Sequence, residues 1–210
     1  MNEHETEIKR TLGACRRLLD FLEEGAWLTL VEIAKGLVHS LRNGGTVYVC
    51  GNGGSATQAT HFAAELIGRY NKTDKPALPV FTLADNNAVV TAVSNDYSFA
   101  DVFSRQIEGL GRSGDCLVAL STSGNSENVV RACGAAKAKG MKVFSLTGLG
   151  GGRMAPLSDS ILMFPDADTP RIQEAHLIVL HNICYLIESE LFAPSRDMST
   201  ELGVEGKLQG

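Results

Sequence analysis

The chain has 210 residues, 44% of them hydrophobic and 20% charged, with a formal net charge of -5. That length supports one well-covered core, or one core and an arm, and the longest apolar runs, such as HLIVLHNICYLI, fall short of the roughly 18 residues a bilayer span needs. With no Lys/Arg cluster beyond Arg16 and Arg17, the acidic balance argues against a nucleic-acid surface, which needs a basic face, so a small-molecule ligand is expected.

The opening MNEHETEIKR is charged and lacks the apolar centre of a secretory signal, which makes the cytoplasm the expected compartment. Two helical segments follow from it, at about 5 to 23 and 26 to 42. Then come five short β-rich runs: TVYVC (46–50), PVFTL (79–83), CLVAL (116–120), KVFSLT (142–147) and SILMF (160–164). Each is apolar nearly throughout, as strands covered on both faces must be. Helical stretches at 55–70, 99–110 and 126–139 alternate with them, which predicts an open, doubly wound five-stranded parallel sheet in an α/β domain. A long helix at 170–192 closes the domain, with Thr169 as N-cap, Pro170 at the first helical position and Ile172, Val179, Ile183 and Ile187 on one stripe. One domain is therefore expected over 1–192, followed by a polar surface tail at 193–210. Helices at both ends of such a core extend its contact surface and suit a symmetric assembly. Cys15, Cys50, Cys116, Cys133 and Cys184 show no CxxC spacing and read as buried thiols.

Ligands of open α/β sheets bind beyond the carboxyl ends of the strands. Two loops there are suited to phosphate. GNGGS (51–55) follows the first strand, with glycines that allow close backbone approach and a helix N-terminus behind them. STSGNS (121–126) follows the third, with the hydroxyls of Ser121, Thr122, Ser123 and Ser126. Neither contains Lys or Arg, so amides and hydroxyls would hold the anion. Two other readings compete. Ser55 and Gln58 match a capping box, which would spend the Ser55 hydroxyl on its own helix. Gly51, Gly53 and Ala56 match a relaxed dinucleotide fingerprint and would make the chain a nucleotide-dependent oxidoreductase, although Asp85 comes late for the ribose and the hydroxyl loop has no role there.

His61 and Glu65 stand four residues apart on the helix after GNGGS, on one face and at a metal-ligand spacing. Gln173 and His181 are eight apart on the last helix, about 80° around its axis, so both can border one cleft. Taken singly these are ordinary helical residues. They belong together if the ligand is a ketose or aldose phosphate, because isomerisation needs a base beside a carbonyl and a cation or imidazole at the enediolate oxygen.

The stretches CGNGGS, HFAAELIGRY, SNDYSF, ALSTSGNSENV, KVFSLTG and RIQEAHLIVLH, in that order, resemble the phosphoheptose isomerases of the sugar isomerase (SIS) domain family, over about residues 5 to 192. The resemblance implies a flavodoxin-like SIS fold and conversion of sedoheptulose 7-phosphate to D-glycero-D-manno-heptose 7-phosphate for nucleotide-activated heptose and surface glycans. It also implies a homotetramer with active sites between subunits and no nucleotide cofactor. Carried over by position, it assigns Asn52, Gly53, Gly54, Ser55, Ser121, Thr122, Ser123 and Ser126 to substrate contacts, with Asn95 and Asp96 as a further sugar contact. Glu65 and His181 match the acid/base pair, while His61, Glu65, Gln173 and His181 match the zinc ligands of some members, Gln173 and Glu65 also facing substrate. The segment 167–170 departs from the pattern, lacking the acidic residue some members carry directly before the Arg of RIQE. Non-catalytic relatives, sugar-phosphate sensors or partners of a replication initiator, share the fold and the loops but lack the Glu and the final His; both are present here.

Overall fold

The computed structural model describes residues 2–71 and 74–192; the polar stretch 193–210 lies outside the described residues. Five strands, β1 (Val47–Cys50), β2 (Val80–Thr82), β3 (Cys116–Ser121), β4 (Lys142–Thr147) and β5 (Ser160–Met163), form one parallel sheet in the order β2-β1-β3-β4-β5. This is the flavodoxin-like doubly wound order, whose direction reverses beside β1 and opens a crevice at the strand ends. Both phosphate-suited loops leave that crevice, from β1 and from β3.

Alternation along each strand sends side chains to two separate cores. Val47, Val49, Val118, Leu120 and Leu146 pack with Phe62, Leu66, Val179 and Ile183, under α1 (Glu3–Phe21), α2 (Trp27–Arg42), α3 (Gly54–Ile67) and α7 (Thr169–Phe192). On the other face Tyr48, Cys50, Leu117, Ala119 and Val143 meet Ile107, Val129, Ala132 and Cys133, under α5 (Ser104–Leu110) and α6 (Glu127–Ala138). One consequence matters for function: α3 and α7, the carriers of the His61/Glu65 and Gln173/His181 pairs, lie on the same face and touch.

The element boundaries differ from the sequence reading in four places. A helix α4 (Asn87–Asp96) follows β2; its Asn86 N-cap side chain accepts from the Val89 amide, but its weakly apolar face hides it from a periodicity search. The stretch 99–110 divides into a 3-10 turn (Phe99–Asp101) and α5. The first two helices are joined through a π turn at Leu22–Ala26, where Gly25 adopts φ 144°. Finally, α7 begins at Thr169, one residue earlier than expected, so Thr169 is helical rather than a cap. Four of the five thiols are buried as expected, Cys50, Cys116, Cys133 and Cys184, and burial raises all four pKa values; Cys15 departs from that reading, half-buried beside Glu174 on the surface of α1.

Among the described residues, no helix is long and apolar enough to cross a membrane. His176 on α7 is fully buried beside Phe164, with no hydrogen-bond partner at either ring nitrogen among the described residues. Burial lowers its pKa from 6.5 to about 4; the Thr147 carbonyl opposes this without reaching hydrogen-bond geometry. The unfolded chain therefore takes up a proton below pH 6.5 that the folded chain refuses until about pH 4. Stability is full above that window and falls as the pH drops through it. Replacing His176 with Leu is expected to remove about 2 kcal/mol of the fall in unfolding free energy between pH 7 and pH 5. Denaturant titrations at both pH values measure this, and an equal fall in the two proteins would contradict it.

Candidate active site

The β1 loop turns tightly into α3. Gly53 is the N-cap, with no side chain to cap the helix, and Ser55 lies within the first turn, buried, making no cap hydrogen bond. The capping box expected from Ser55 and Gln58 does not form, because Gln58 Nε2 donates instead to the Gln173 carbonyl on α7. Gly54 leaves room for a side chain from α7. A Cβ there would come within 2.6 Å of the Gln173 side-chain amide, so α7 seats its glutamine directly on the loop.

The β3 loop is organised around its own hydroxyls. Ser121 Oγ and Ser126 Oγ are 3.1 Å apart, Ser123 Oγ accepts from the Asn125 amide at 3.1 Å, and Thr122 Oγ1 lies 3.4 Å from Thr169 Oγ1 at the start of α7. Ser126 is the N-cap of α6 yet makes no side-chain cap bond, which leaves its hydroxyl turned to Ser121 rather than spent on the helix. Gly124 has φ 64°, and a Cβ there would overlap the Gly151 carbonyl of the loop after β4. That glycine-rich loop also brings Arg153 to the site. Its amide donates to Asn125 Oδ1 and its guanidinium pairs with Glu127, whose carboxyl Arg153 and Arg131 hold below its ordinary pKa.

The two loops are tied together by a reciprocal amide pair. Asn52 Nδ2 donates to Asn128 Oδ1 at 2.7 Å, and Asn128 Nδ2 returns a bond to Asn52 Oδ1 at 2.8 Å. Asn128 is buried, and sequence reasoning missed it as well as Arg153, and read Gln58 only as a cap. Nothing marks Asn128 in the sequence except its place in the SENV stretch after STSGNS; only the fold shows that the loop ends meet. Asn95 and Asp96 stand exposed at the end of α4, hydrogen-bonded to each other at 2.8 Å. Asp85 accepts from Thr60 Oγ1 at 2.6 Å.

Further along α3 and α7 the titratable groups converge. His61 Nε2 and His181 Nε2 are 2.8 Å apart, with the rings in a T-shaped arrangement, and His61 Nε2 is 3.6 Å from Glu65 Oε1. At that separation one imidazole donates and the other accepts, the tautomers deciding which. Tyr70 also stacks on His181, with ring centroids 5.7 Å apart. The structure thus gathers His61, Glu65 and His181, while Gln173 lies with its amide against Gly54.

Two imidazoles and a carboxylate are a donor set that suits zinc. The 2.8 Å nitrogen separation is that of a hydrogen bond; ligands of one tetrahedral zinc stand about 3.3 Å apart, so a small opening of the pair would admit the ion. Among the described residues no group of three or more His, Cys, Asp or Glu already has coordination geometry. The residues fit the metal in chemistry and need a side-chain adjustment to fit it in distance.

A cleft of about 170 Å³ lies between Thr122, Ser123, Leu149, Ala167 and Thr169. Larger hollows lie elsewhere, one of them along β5 and the α1–α2 turn, with Phe21, Thr29 and Met163 on its walls. The cleft at the loops is smaller than the roughly 300–1,000 Å³ of a complete small-molecule site.

Residues 12–148 match the SIS domain family. A phosphoheptose isomerase of Rhodospirillum rubrum is 50% identical over 179 residues, 84% of this chain and 95% of that one. One from Helicobacter pylori strain P12 is 46% identical over 185 residues, 88% of this chain and 90% of its own. The solved structure of a phosphoheptose isomerase from Francisella tularensis superposes with a TM-score of 0.86 at 33% identity, covering 90% of this chain and all of that one. Neither a dinucleotide-dependent oxidoreductase nor a non-catalytic binding module is favoured by these likenesses. The chain belongs to the SIS domain family and, within it, to the phosphoheptose isomerases.

Proposed function

We propose that the chain converts sedoheptulose 7-phosphate to D-glycero-D-manno-heptose 7-phosphate, supplying nucleotide-activated heptose for surface glycans such as lipopolysaccharide. The observation that carries this reading is the meeting of Glu65, His61 and His181 on α3 and α7, the two helices whose first turns touch the amide- and hydroxyl-rich loops. Ser121, Thr122, Ser123 and Ser126, with Asn52, Gly53, Gly54 and Ser55, bind the phosphate and the near end of the sugar; Gln173 orients the chain beside Gly54. Glu65 takes a proton from C1 of the ketose, leaving an enediolate across C1 and C2. His181 moves a proton to and from the sugar oxygens, and return of a proton to C2 completes the aldose, so that atoms and charge balance without any external oxidant. His61, in hydrogen-bond contact with His181, fixes which nitrogen carries the proton.

His61, Glu65, Gln173 and His181 would hold a zinc ion, one per site, which supplies Lewis-acid stabilisation of the enediolate oxygen when bound. Metal removal is the corresponding prediction. Dialysis against a chelator is expected to lower both the melting temperature and kcat, with zinc restoring both; unchanged values on metal-free protein would leave a purely acid/base site.

We read the working unit as a cytoplasmic homotetramer with sites completed between subunits. Support comes from the small cleft at the loops and from Ile8 and Leu12 on α1, Trp27 and Leu28 on α2, and Ile178 and Tyr185 on α7, all large apolar residues left exposed in the single chain. Asn95 and Asp96 then serve as a sugar contact at such a composite site. No nucleic-acid or membrane partner is proposed. The direct test offers sedoheptulose 7-phosphate and assays for an aldoheptose phosphate. Formation of that product supports the reading; its absence, with bound sugar phosphate recovered unchanged, would favour a non-catalytic sensor.

A further inference from the structure

Glu188 and Lys75 form a buried ion pair that the isomerase chemistry does not use. Each side chain is 1% exposed, with Lys75 Nζ 3.7 Å from Glu188 Oε1. Two buried charges are costly, and a well-packed apolar pair is often at least as stabilising, so such a pair calls for an account. Its partners supply one. Glu188 Oε1 accepts from the Tyr70 amide at 3.0 Å and Oε2 from the Asn71 amide at 2.7 Å, while Lys75 Nζ donates to the Leu66 carbonyl at 2.6 Å. Leu66 belongs to the last turn of α3, whose carbonyls have no partner within the helix and attract a cation. Lys75 therefore returns the chain to the end of α3, and Glu188 pins the backbone at Tyr70 and Asn71 by two charge-assisted amide bonds.

The pinned segment carries Tyr70, whose ring stacks on the His181 imidazole at 5.7 Å and an interplanar angle of 29°. Glu188 lies seven residues after His181, about 20° from it around the α7 axis, so anchor and imidazole share one stripe of the helix. His181 contacts two rings, stacked with Tyr70 and edge-on to His61.

We propose that Glu188, Lys75 and Tyr70 are positioning residues: the buried pair fixes the backbone of 70–71 so that the Tyr70 ring holds the His181 imidazole with Nε2 towards His61. The anchor touches neither sugar nor phosphate. Its loss therefore misplaces the acid/base group without weakening the grip on substrate, a change that lowers kcat and leaves KM in place. The proposal rests on the reading of His181 as a proton-transfer group, so its test includes an arm that needs no substrate.

The full-length protein is prepared with 13C-labelled histidine rings; it has five histidines, and His181→Ala assigns the His181 signal. Tyr70→Ala is expected to shift that signal by removing the stacked ring, and Glu188→Gln to shift it in the same direction. Both lower kcat by about 10- to 100-fold with KM within about twofold. Tyr70→Phe recovers the activity that Tyr70→Ala loses, and the double variant Glu188→Gln/Tyr70→Ala is no slower than Tyr70→Ala alone, because both act through one contact. An unmoved His181 signal in Glu188→Gln, or additive losses in the double variant, would overturn the anchor role. Should Glu188→Gln fail to fold, half-buried Tyr70 still tests the stack: Tyr70→Ala with an unmoved signal overturns the proposal. A moved signal with unchanged kcat would instead count against His181 as the proton-transfer group.

Discussion

Replacing Glu65 with Gln, or His181 with Ala, is expected to lower kcat by about 100- to 10,000-fold, the range over which a positioned acid or base contributes to proton transfer. The glutamine keeps the size of the side chain and its place on α3 but cannot accept a proton from carbon. Glu65 is partly exposed and His181 half-buried, and neither packs in the core, so circular dichroism is expected to stay close to that of the parent and the melting temperature to fall no further than that of the chelated protein. Because His61 Nε2 faces His181 at 2.8 Å, His181→Ala also frees His61, which is exposed and gains water as a partner. Steady-state turnover of sedoheptulose 7-phosphate is the readout. Parental kcat in either variant would remove that residue from the mechanism.

The second large effect is expected at the phosphate loop. Ser126 spends no hydroxyl on capping α6 and lies 3.1 Å from Ser121 Oγ, so Ser126→Ala removes a ligand donor and leaves the helix start unchanged. A hydrogen bond to a charged group is worth about 1.5–3 kcal/mol, which converts to about a 10- to 100-fold loss in kcat/KM, expressed mainly as a higher KM. Inorganic phosphate, as a competitive inhibitor, should weaken in parallel. A variant with unchanged KM and unchanged phosphate inhibition would place the phosphate elsewhere.

Much of this architecture was legible in the sequence because its strands are short, apolar throughout and separated by helix-length segments. Residues such as Val47, Val118 and Leu146 carry that pattern openly. The loops were legible for a related reason, since glycines and hydroxyls concentrate where backbone must approach a ligand. What the sequence hid is what depends on distant segments meeting. Asn128 looks like any polar residue in the first turn of a helix until Asn52 is seen to pair with it. Gln58 completes a capping pattern on paper, yet α7 offers it a carbonyl and the local bond is not made. Glu188 reads as one more charge near the end of a long helix, whereas the chain around Tyr70 folds back and buries it. Local pattern and tertiary demand conflict at these positions, and in each the tertiary partner prevails.

The spatial relation among the named residues was only partly readable. Helical spacing put His61 beside Glu65, but that α3 and α7 share a sheet face follows from strand order, which has no local signature. Gln173, grouped with His181 by spacing, also lies against Gly54, a contact between α7 and the β1 loop that helical spacing alone does not show.

A crystal structure of Glu65→Gln soaked with sedoheptulose 7-phosphate tests the arrangement most directly. The account predicts the phosphate on the Ser121–Ser126 loop and C1 and C2 of the sugar between residue 65 and the His181 imidazole. A sugar whose reacting carbons lie out of reach of both side chains, or whose phosphate sits away from that loop, would contradict it.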